Sequence, residues 1–395
     1  MPALLYLIAL GNLVVGSSAF VVSGVLDLIA DGLGVSLAAA GQAMSVYALA
    51  TALLAPALLV ATGGWPRKRA ILLALALFAV GNALAALASG LGQLYLGRVL
   101  MGMGSMFTPI GAGIALVSVA PAQRGKALSL AFLGMSLSYV VGVPLGAWVG
   151  HRHGWQAALW LMTAASVAMV ALMAWRVPTT VQAPGASFQG MGAVLRRPEV
   201  MAALGTTLLY FIAIFIAFSY IAPLIHALQP TGGPGISWTL TVFGLAGAAG
   251  TLLGGSAADR FGARRTMQLL LLMLAAMQAL LPLSAGHPGW MLVVLVFWGF
   301  AGFGLMSPQQ ARLAQMAPAQ APLLLSLNGS MLYIGTAFGA AIGGLASTVV
   351  GFAHLPWVAA PFALAAWALL MAEARLGLAS AKIAPTLCTQ EDPPQ

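Results

Sequence analysis

Apolar residues in this chain neither alternate with polar ones nor recur along a single helix face. They run continuously for about twenty residues at a time, which is the length a helix needs to cross a bilayer. Short polar joints separate the runs. The pattern predicts twelve membrane-spanning helices, at 4–27, 39–61, 70–89, 93–117, 126–149, 156–176, 200–225, 237–257, 266–285, 290–313, 323–347 and 357–376. A membrane barrel would show shorter segments of alternating character instead. The opening run "MPALLYLIAL" has no basic residues before it and stays apolar past Val25, so it predicts a first span, not a cleavable leader.

Composition agrees with the pattern. The chain is 61% hydrophobic and 6% charged, against roughly 45–50% and 25% in soluble domains. The net charge of +9 is not a nucleic-acid footprint, because no basic patch is interleaved with exposed aromatics. The basic residues cluster at one set of joints: Arg67, Lys68, Arg69, Arg124, Lys126, Arg176, Arg196, Arg197, Arg260, Arg264, Arg265, Arg312, Arg375 and Lys382. Only Arg152 falls at the other set, with Asp27, Asp31, His151, His153 and His287. By the positive-inside rule both termini are expected in the cytoplasm, which places the chain in the inner membrane. The single cysteine, Cys388, excludes an internal disulfide and a cysteine-based metal cluster. No metal site and no cofactor are predicted.

A shift of 197 residues superposes one half of the chain on the other. Arg67-Lys68 lands on Arg264-Arg265, Gly102 on Gly299 and Ser129-Leu130 on Ser326-Leu327. Ser138, Gly142, Gly146 and Gly150 land on Gly335, Gly339, Gly343 and Ser347. The expected organisation is an all-α membrane protein of two pseudo-symmetric six-helix bundles, 1–176 and 200–376. A cytoplasmic linker at 177–199 joins them, and a disordered tail at 377–395 follows.

Two further features sit inside this frame. Gly134, Ser138, Gly142, Gly146 and Gly150 recur every four residues, so they give one helix face of small side chains that another helix can approach closely. Pro144, in the same helix, lacks a backbone donor and is expected to bend it. The row has two readings, tight packing or a seam along which two halves rock, and the matching row Gly335, Gly339, Gly343 favours the seam. The second feature is a charged island, "GGSAADRFGARR" at 254–265, lying between long apolar runs.

The island, Gly255-x-x-x-Asp259-Arg260-x-Gly262-x-Arg264-Arg265, resembles the cytoplasmic signature of the major facilitator superfamily. Gly142-Val143-Pro144-Leu145-Gly146 resembles the motif of its antiporters, and Arg98-x-x-x-Gly102-x-Gly104 a third signature. "GVPLGAWVGHRHGW" and "AAAGQAMSVYALATALLAP" look most like its bacterial drug, sugar and nucleoside efflux branch. The resemblance covers the whole chain and implies a monomeric, alternating-access transporter. It also implies that Asp259 latches onto the start of span 5 of the other half when the cytoplasmic side is shut, with Arg260, Gly262, Arg264, Arg265, Arg67 and Lys68 around the same gate. Arg312 is expected as a partner of Asp259 within its own half. Thr62 stands at the shifted position of Asp259 and Ala115 at that of Arg312, so the latch is expected on one side only.

The resemblance assigns spans 1, 4, 7 and 10 to the lining of a central cavity, helped by 2, 5, 8 and 11. Asn12, Ser18, Tyr47, Arg98, Tyr139, Tyr210, Trp298, Gln309, Asn328 and Tyr333 are polar and aromatic residues of those spans. Each one alone is equally a satisfied packing group. Together they describe a neutral, aromatic, amide-bearing pocket suited to an uncharged amphiphile or polyol. Arg98, charged and inside a span, either reaches toward the surface or orients helices or substrate.

Relatives in the efflux branch carry an acid in span 1 where this chain reads Gly16-Ser17-Ser18-Ala19-Phe20. The remaining candidates for a proton carrier are Asp27 and His226, both equally readable as surface residues. The expected function is export of a small neutral or amphiphilic molecule against proton uptake. A proton-independent facilitator and a non-transporting membrane sensor are the alternatives. A nucleotide-driven pump lacks its G-x-x-x-x-G-K-[ST] loop, and no H-E-x-x-H, G-x-S-x-G or intramembrane carboxylate pair points to an enzyme.

Overall fold

The computed structural model describes residues 3–120, 123–179, 196–229, 235–316 and 321–383. Among the described residues the architecture is all-helical, with twelve helices long and apolar enough to cross a membrane. They are span 1 (Ala3–Gly24), span 2 (Leu37–Ala61), span 3 (Arg67–Ala86), span 4 (Leu91–Val117), span 5 (Leu130–His153) and span 6 (Trp155–Arg176). The second set is span 7 (Pro198–Phe218), span 8 (Ile236–Phe261), span 9 (Ala263–Ser284), span 10 (Pro288–Met316), span 11 (Leu323–Val350) and span 12 (Phe352–Glu373). The face where span 1 begins and span 12 ends is called the terminal face below, and the opposite one the far face.

The repeat is visible in the way helices break. Span 1 ends at Gly24 and a separate helix, Leu26–Leu33, follows; span 7 ends at Phe218 and Ile221–Leu228 follows. The apolar runs predict unbroken spans to 27 and 225, and the structure corrects both ends. Asp27 and His226 therefore sit on short far-face helices, not in the spans. Span 4 is interrupted at Ser105–Met106 and span 10 at Leu305. The Ser105 hydroxyl lies 2.9 Å from Tyr47 Oη and 3.2 Å from Thr51 Oγ1, so span 2 meets polar groups at the break.

Span 5 answers Pro144 differently from a simple bend. Residues Ser138–Gly142 form a π-helical turn, and Val143 N–H reaches back to Ser138 O. One extra residue is absorbed ahead of the proline, which then sits in the first turn of the regular helix Val143–His153, where its missing donor costs little.

The rows of small residues face inward within each bundle, which corrects their reading as a moving seam between halves. A methyl group on Gly134 would meet the backbone of Ala9; on Gly142, the Ser17 side chain; on Gly146, Val21; on Gly150, Val25. All of these belong to span 1 or its far-face extension. Gly335, Gly339 and Gly343 lie in the same way against Leu208, Ile212, Ile216 and Tyr220 of span 7 and the residues that follow it. Pseudo-symmetric close packing therefore ties span 5 to span 1 and span 11 to span 7. Contacts between halves use other pairs, span 2 with span 11 and span 5 with span 8. There Ser45 Oγ donates to Ala337 O at 3.0 Å, and Gly244 lies against the Tyr139 backbone.

The polar composition of the tail predicts loss of structure from Gly377. The helix that begins at Leu355 continues to Ile383 instead, through Leu378, Ala379, Ala381 and Lys382, all strong helix formers. Residues 384–395 and most of the expected linker, 180–195, lie outside the described residues.

Candidate functional site

Aromatic rings from both halves meet in the middle of the bundle. Phe20 of span 1 stacks on Tyr139 of span 5 at 4.9 Å between centroids. Tyr139 meets Phe303 of span 10 edge-on at 4.5 Å. Phe20 also reaches Phe215 at 5.8 Å and Phe218 at 6.4 Å, both of span 7. Phe218 stacks on Phe243 of span 8 at 5.6 Å, and Phe243 packs against Trp298 of span 10 at 5.0 Å. Tyr47 of span 2 meets Tyr333 of span 11 edge-on at 6.3 Å. The layer carries no acid. The indole N–H of Trp298 is buried there without a hydrogen-bond partner among the described residues.

Of the predicted cavity residues, Tyr47, Tyr139, Trp298 and Tyr333 belong to this layer. Tyr210 is 1% exposed and packs on Phe211. Asn12 instead forms a polar knot within the first half. Its Nδ2 donates to Ala131 O at 2.8 Å and its Oδ1 accepts from Thr108 at 2.7 Å, joining spans 1, 4 and 5. Asn328 and Gln309 form the counterpart in the second half. Thr207 Oγ1 donates to Asn328 Oδ1 at 2.6 Å, and Gln309 Nε2 donates to Ala203 O and to Thr207 Oγ1, each at 2.7 Å. These knots pin the first, fourth and fifth spans of each half with different residues at related places.

Arg98 does not reach the surface. It is 0% exposed. Its Nη1 donates to Ser18 O at 3.1 Å, Nη2 to Ala19 O at 2.5 Å and Nε to Ala43 O at 3.3 Å, and its guanidinium lies 4.8 Å from the Tyr47 ring centroid. These bonds tie span 4 to spans 1 and 2. Ser18 contributes its carbonyl, not its hydroxyl.

The residues of the charged island take different surroundings. Asp259, Arg260 and Arg265 are exposed, and Asp259 has no ion-pair partner among the described residues. Gly262 makes the turn between spans 8 and 9 with a φ of +88° that favours glycine. Arg264 donates to Leu370 O at 3.0 Å and Met371 O at 3.3 Å of span 12. In the other half Arg67 folds back onto Gly63 O, and Lys68 is half-buried. At the start of span 5, where the latch of Asp259 is expected, the side chains of residues 124–126 lie outside what the structure describes.

Arg312 is not the partner of Asp259. It pairs at 3.0 Å with Glu373 of span 12, in a site where both side chains are largely buried. Glu373 escapes a reading by hydropathy because it closes a long apolar run; an acid two residues before Arg375 is the available signal. Removing one member of a buried pair strands the other and costs about 3–5 kcal/mol, whereas replacing both with apolar residues is often neutral. Glu373→Gln is therefore expected to lower thermal stability clearly, and the double variant Arg312→Met/Glu373→Met to recover most of the loss. Equal losses in the single and double variants would contradict the pair. The phenylalanines of the central layer escape for another reason: polarity marks out candidate residues, and Phe20, Phe215, Phe218, Phe243 and Phe303 have none.

On the far face, Asp27 and His226 come together across the two halves, with Asp27 Oδ2 3.8 Å from His226 Nδ1.

Comparison with known proteins agrees with this architecture. The MFS-type transporter YbcL of Bacillus subtilis is 30% identical over 357 residues, covering 90% of this chain and 92% of its own. The inner membrane transport protein YdhP of Escherichia coli K12 is 29% identical over 370 residues, covering 93% and 95%. A crystal structure of the nucleoside transporter NupG superposes with a TM-score of 0.72 at 13% identity, covering 94% of this chain and 98% of its own, which is a likeness of fold. The Major Facilitator Superfamily profile matches residues 8–235 and 228–383, so this twelve-helix chain belongs to that family and is a multi-pass transporter.

Proposed function

We propose that the protein exports a small neutral or amphiphilic molecule across the inner membrane by alternating access, driven by proton uptake. The terminal face is then cytoplasmic, as the basic joints require, and the far face is the outer one. The observation that carries the reading is the uncharged aromatic layer shared by spans 1, 2, 5, 7, 8, 10 and 11. Rings contributed by both halves grip an apolar body by stacking and separate when the halves rock. The indole N–H of Trp298 offers one donor to orient a polar end. A strongly cationic substrate would call for a carboxylate, and none stands in the layer. The protein works as a monomer in lipid, with no metal or cofactor.

The test is substrate-dependent proton movement in reconstituted vesicles. With a pH gradient imposed and a lumenal pH dye, neutral amphiphiles, sugars and nucleosides are added in turn. Collapse of the gradient by a neutral substrate, absent in empty vesicles, is the expected result. Equilibration of radiolabelled substrate without proton movement would replace antiport by facilitated diffusion. A response confined to organic cations would contradict the substrate class.

A further inference from the structure

Beyond the aromatic layer, on the outer face, the carboxylate of Asp27 is shared by two imidazoles from opposite halves. His151, at the end of span 5, places Nε2 3.6 Å from Asp27 Oδ2, and His226 places Nδ1 3.8 Å from the same oxygen. Asp27 Oδ1 is buried and accepts no hydrogen bond of ordinary geometry among the described residues. The other nitrogen of His151, Nδ1, lies 2.8 Å from Ala147 O. A carbonyl only accepts, so Nδ1 carries a hydrogen. A neutral imidazole then turns its Nε2 lone pair toward an ionised carboxylate, which also only accepts. The arrangement is satisfied once a further proton lies between Nε2 and Oδ2, whichever of the two holds it.

We infer that Asp27 and His151 form a proton-binding site, and that His226 of the opposite half closes over it when the outer face shuts. When the proton is held on an imidazole, Asp27 Oδ2 keeps its negative charge, and a His226 that carries the proton faces that oxygen at 3.8 Å only in the shut state; the three groups together therefore bind the proton more tightly when shut than when the two halves have parted. A proton taken from outside therefore draws the outer face closed, and alkaline conditions release it. Phe20 and Phe218 lie about two helical turns before Asp27 and His226. The aromatic layer thus separates the site from the cytoplasm, and the site acts as an outer gate, not as the carrier that delivers the proton inside.

The surroundings leave these three groups in charge. The short helix of Asp27 adds Asp31, exposed one turn further on. The end of span 5 adds Arg152, which lies over the Trp148 ring at 5.7 Å, and His153, which is exposed. Beyond His226, its short helix packs against the turn of His354, whose Nδ1 lies 2.9 Å from Val350 O. Spans 1 and 2 bring no ionisable group other than Tyr6 and Tyr47. Among the described residues, His151 and His226 are the ion-pair partners of Asp27. Burial raises the Asp27 carboxyl, but the hydrogen bond and charge of His151, with the charge of His226 behind them, outweigh it and hold the group below the ordinary carboxylate value of 3.8. Its contribution to closure is thus present above that ordinary value and lost only as pH falls through the lowered one. The neutral-range dependence is assigned to the proton that the three groups share.

The inference rests on the proposed transport cycle for its role, and is tested apart from it. With Cys388→Ser as background, Ser89→Cys and His287→Cys, exposed at outer joints of opposite halves, carry spin labels in lipid nanodiscs. Pulsed dipolar spectroscopy reads the ratio of shut to open outer faces between pH 6 and 8.5. One coupled proton changes that ratio by at most about tenfold per pH unit, and a rise of at least about threefold in the shut form from pH 8.5 to 6 is expected. Asp27→Asn and His151→Gln should flatten the response. His226→Gln, at a 58% exposed side chain that does not hold the fold, should lower the shut fraction at pH 6. A pH-independent ratio, or an unchanged response in Asp27→Asn together with His226→Gln, overturns the site. A pH response through Asp27 without substrate-driven proton movement in vesicles upholds the site and removes antiport; proton-driven transport with a pH-blind outer face does the reverse.

Discussion

Arg98→Ala is expected to destabilise the first half by on the order of 3 kcal/mol and to abolish transport. The guanidinium donates to the carbonyls of Ser18 and Ala19 in span 1 and of Ala43 in span 2. Those carbonyls lie inside the membrane, where no water replaces the lost donor. Arg98→Lys restores the charge but not the planar fork that addresses two helices at once, so it is expected to recover little. Thermal unfolding in detergent, read beside transport in vesicles, checks both variants. A lysine variant as stable as the parent would show that charge alone matters at this position.

Tyr139→Ala carries the second large expectation. Its ring touches Phe20 in its own half and Phe218 and Phe303 in the other. Deleting a fully buried aromatic ring costs about 3–5 kcal/mol in a packed core, and Tyr139, which is partly buried, is expected to cost less. Here much of that loss falls on the contact between halves, which must reform in every cycle. Transport is expected to fall more than about tenfold, while Tyr139→Phe, which keeps the ring and its stacking, stays within about twofold. Initial rates of substrate uptake into vesicles distinguish the two. Equal rates for the alanine and phenylalanine variants would remove the layer from the transport path.

The twelve spans and the duplication are legible in the sequence because both rest on long-range regularities: uninterrupted apolar length, and a single offset of 197 that carries charged joints and glycine rows together. The breaks are not. Gly24-Val25 and Ser219-Tyr220 interrupt runs that stay apolar throughout, so hydropathy does not register the end of span 1 or span 7. The glycine rows are readable as close-packing faces, but not which helix they face; the first row meets the Ala9 backbone and the Ser17, Val21 and Val25 side chains, and the second meets the carbonyls of Leu208, Ile212 and Ile216 in span 7. Polarity as a guide finds Arg98, Asn12 and Gln309, which prove to be internal fasteners. It misses the phenylalanines that bring the halves together, and it misses Glu373 at the end of an apolar helix. His151 is readable only as a joint residue, since its meeting with Asp27 depends on two chain segments 124 residues apart.

The central claim is that the aromatic layer is reached from one side at a time. With Cys388→Ser as background, a cysteine is placed at Phe303, a partly exposed member of the layer. Its rate of modification by a membrane-impermeant thiol reagent is measured from each face of oriented vesicles. The account predicts that both faces reach it, and that raising the external pH or loading substrate changes the two rates in opposite directions. Rates that rise and fall together would describe a pore, and a residue reached from only one face under every condition would contradict alternating access.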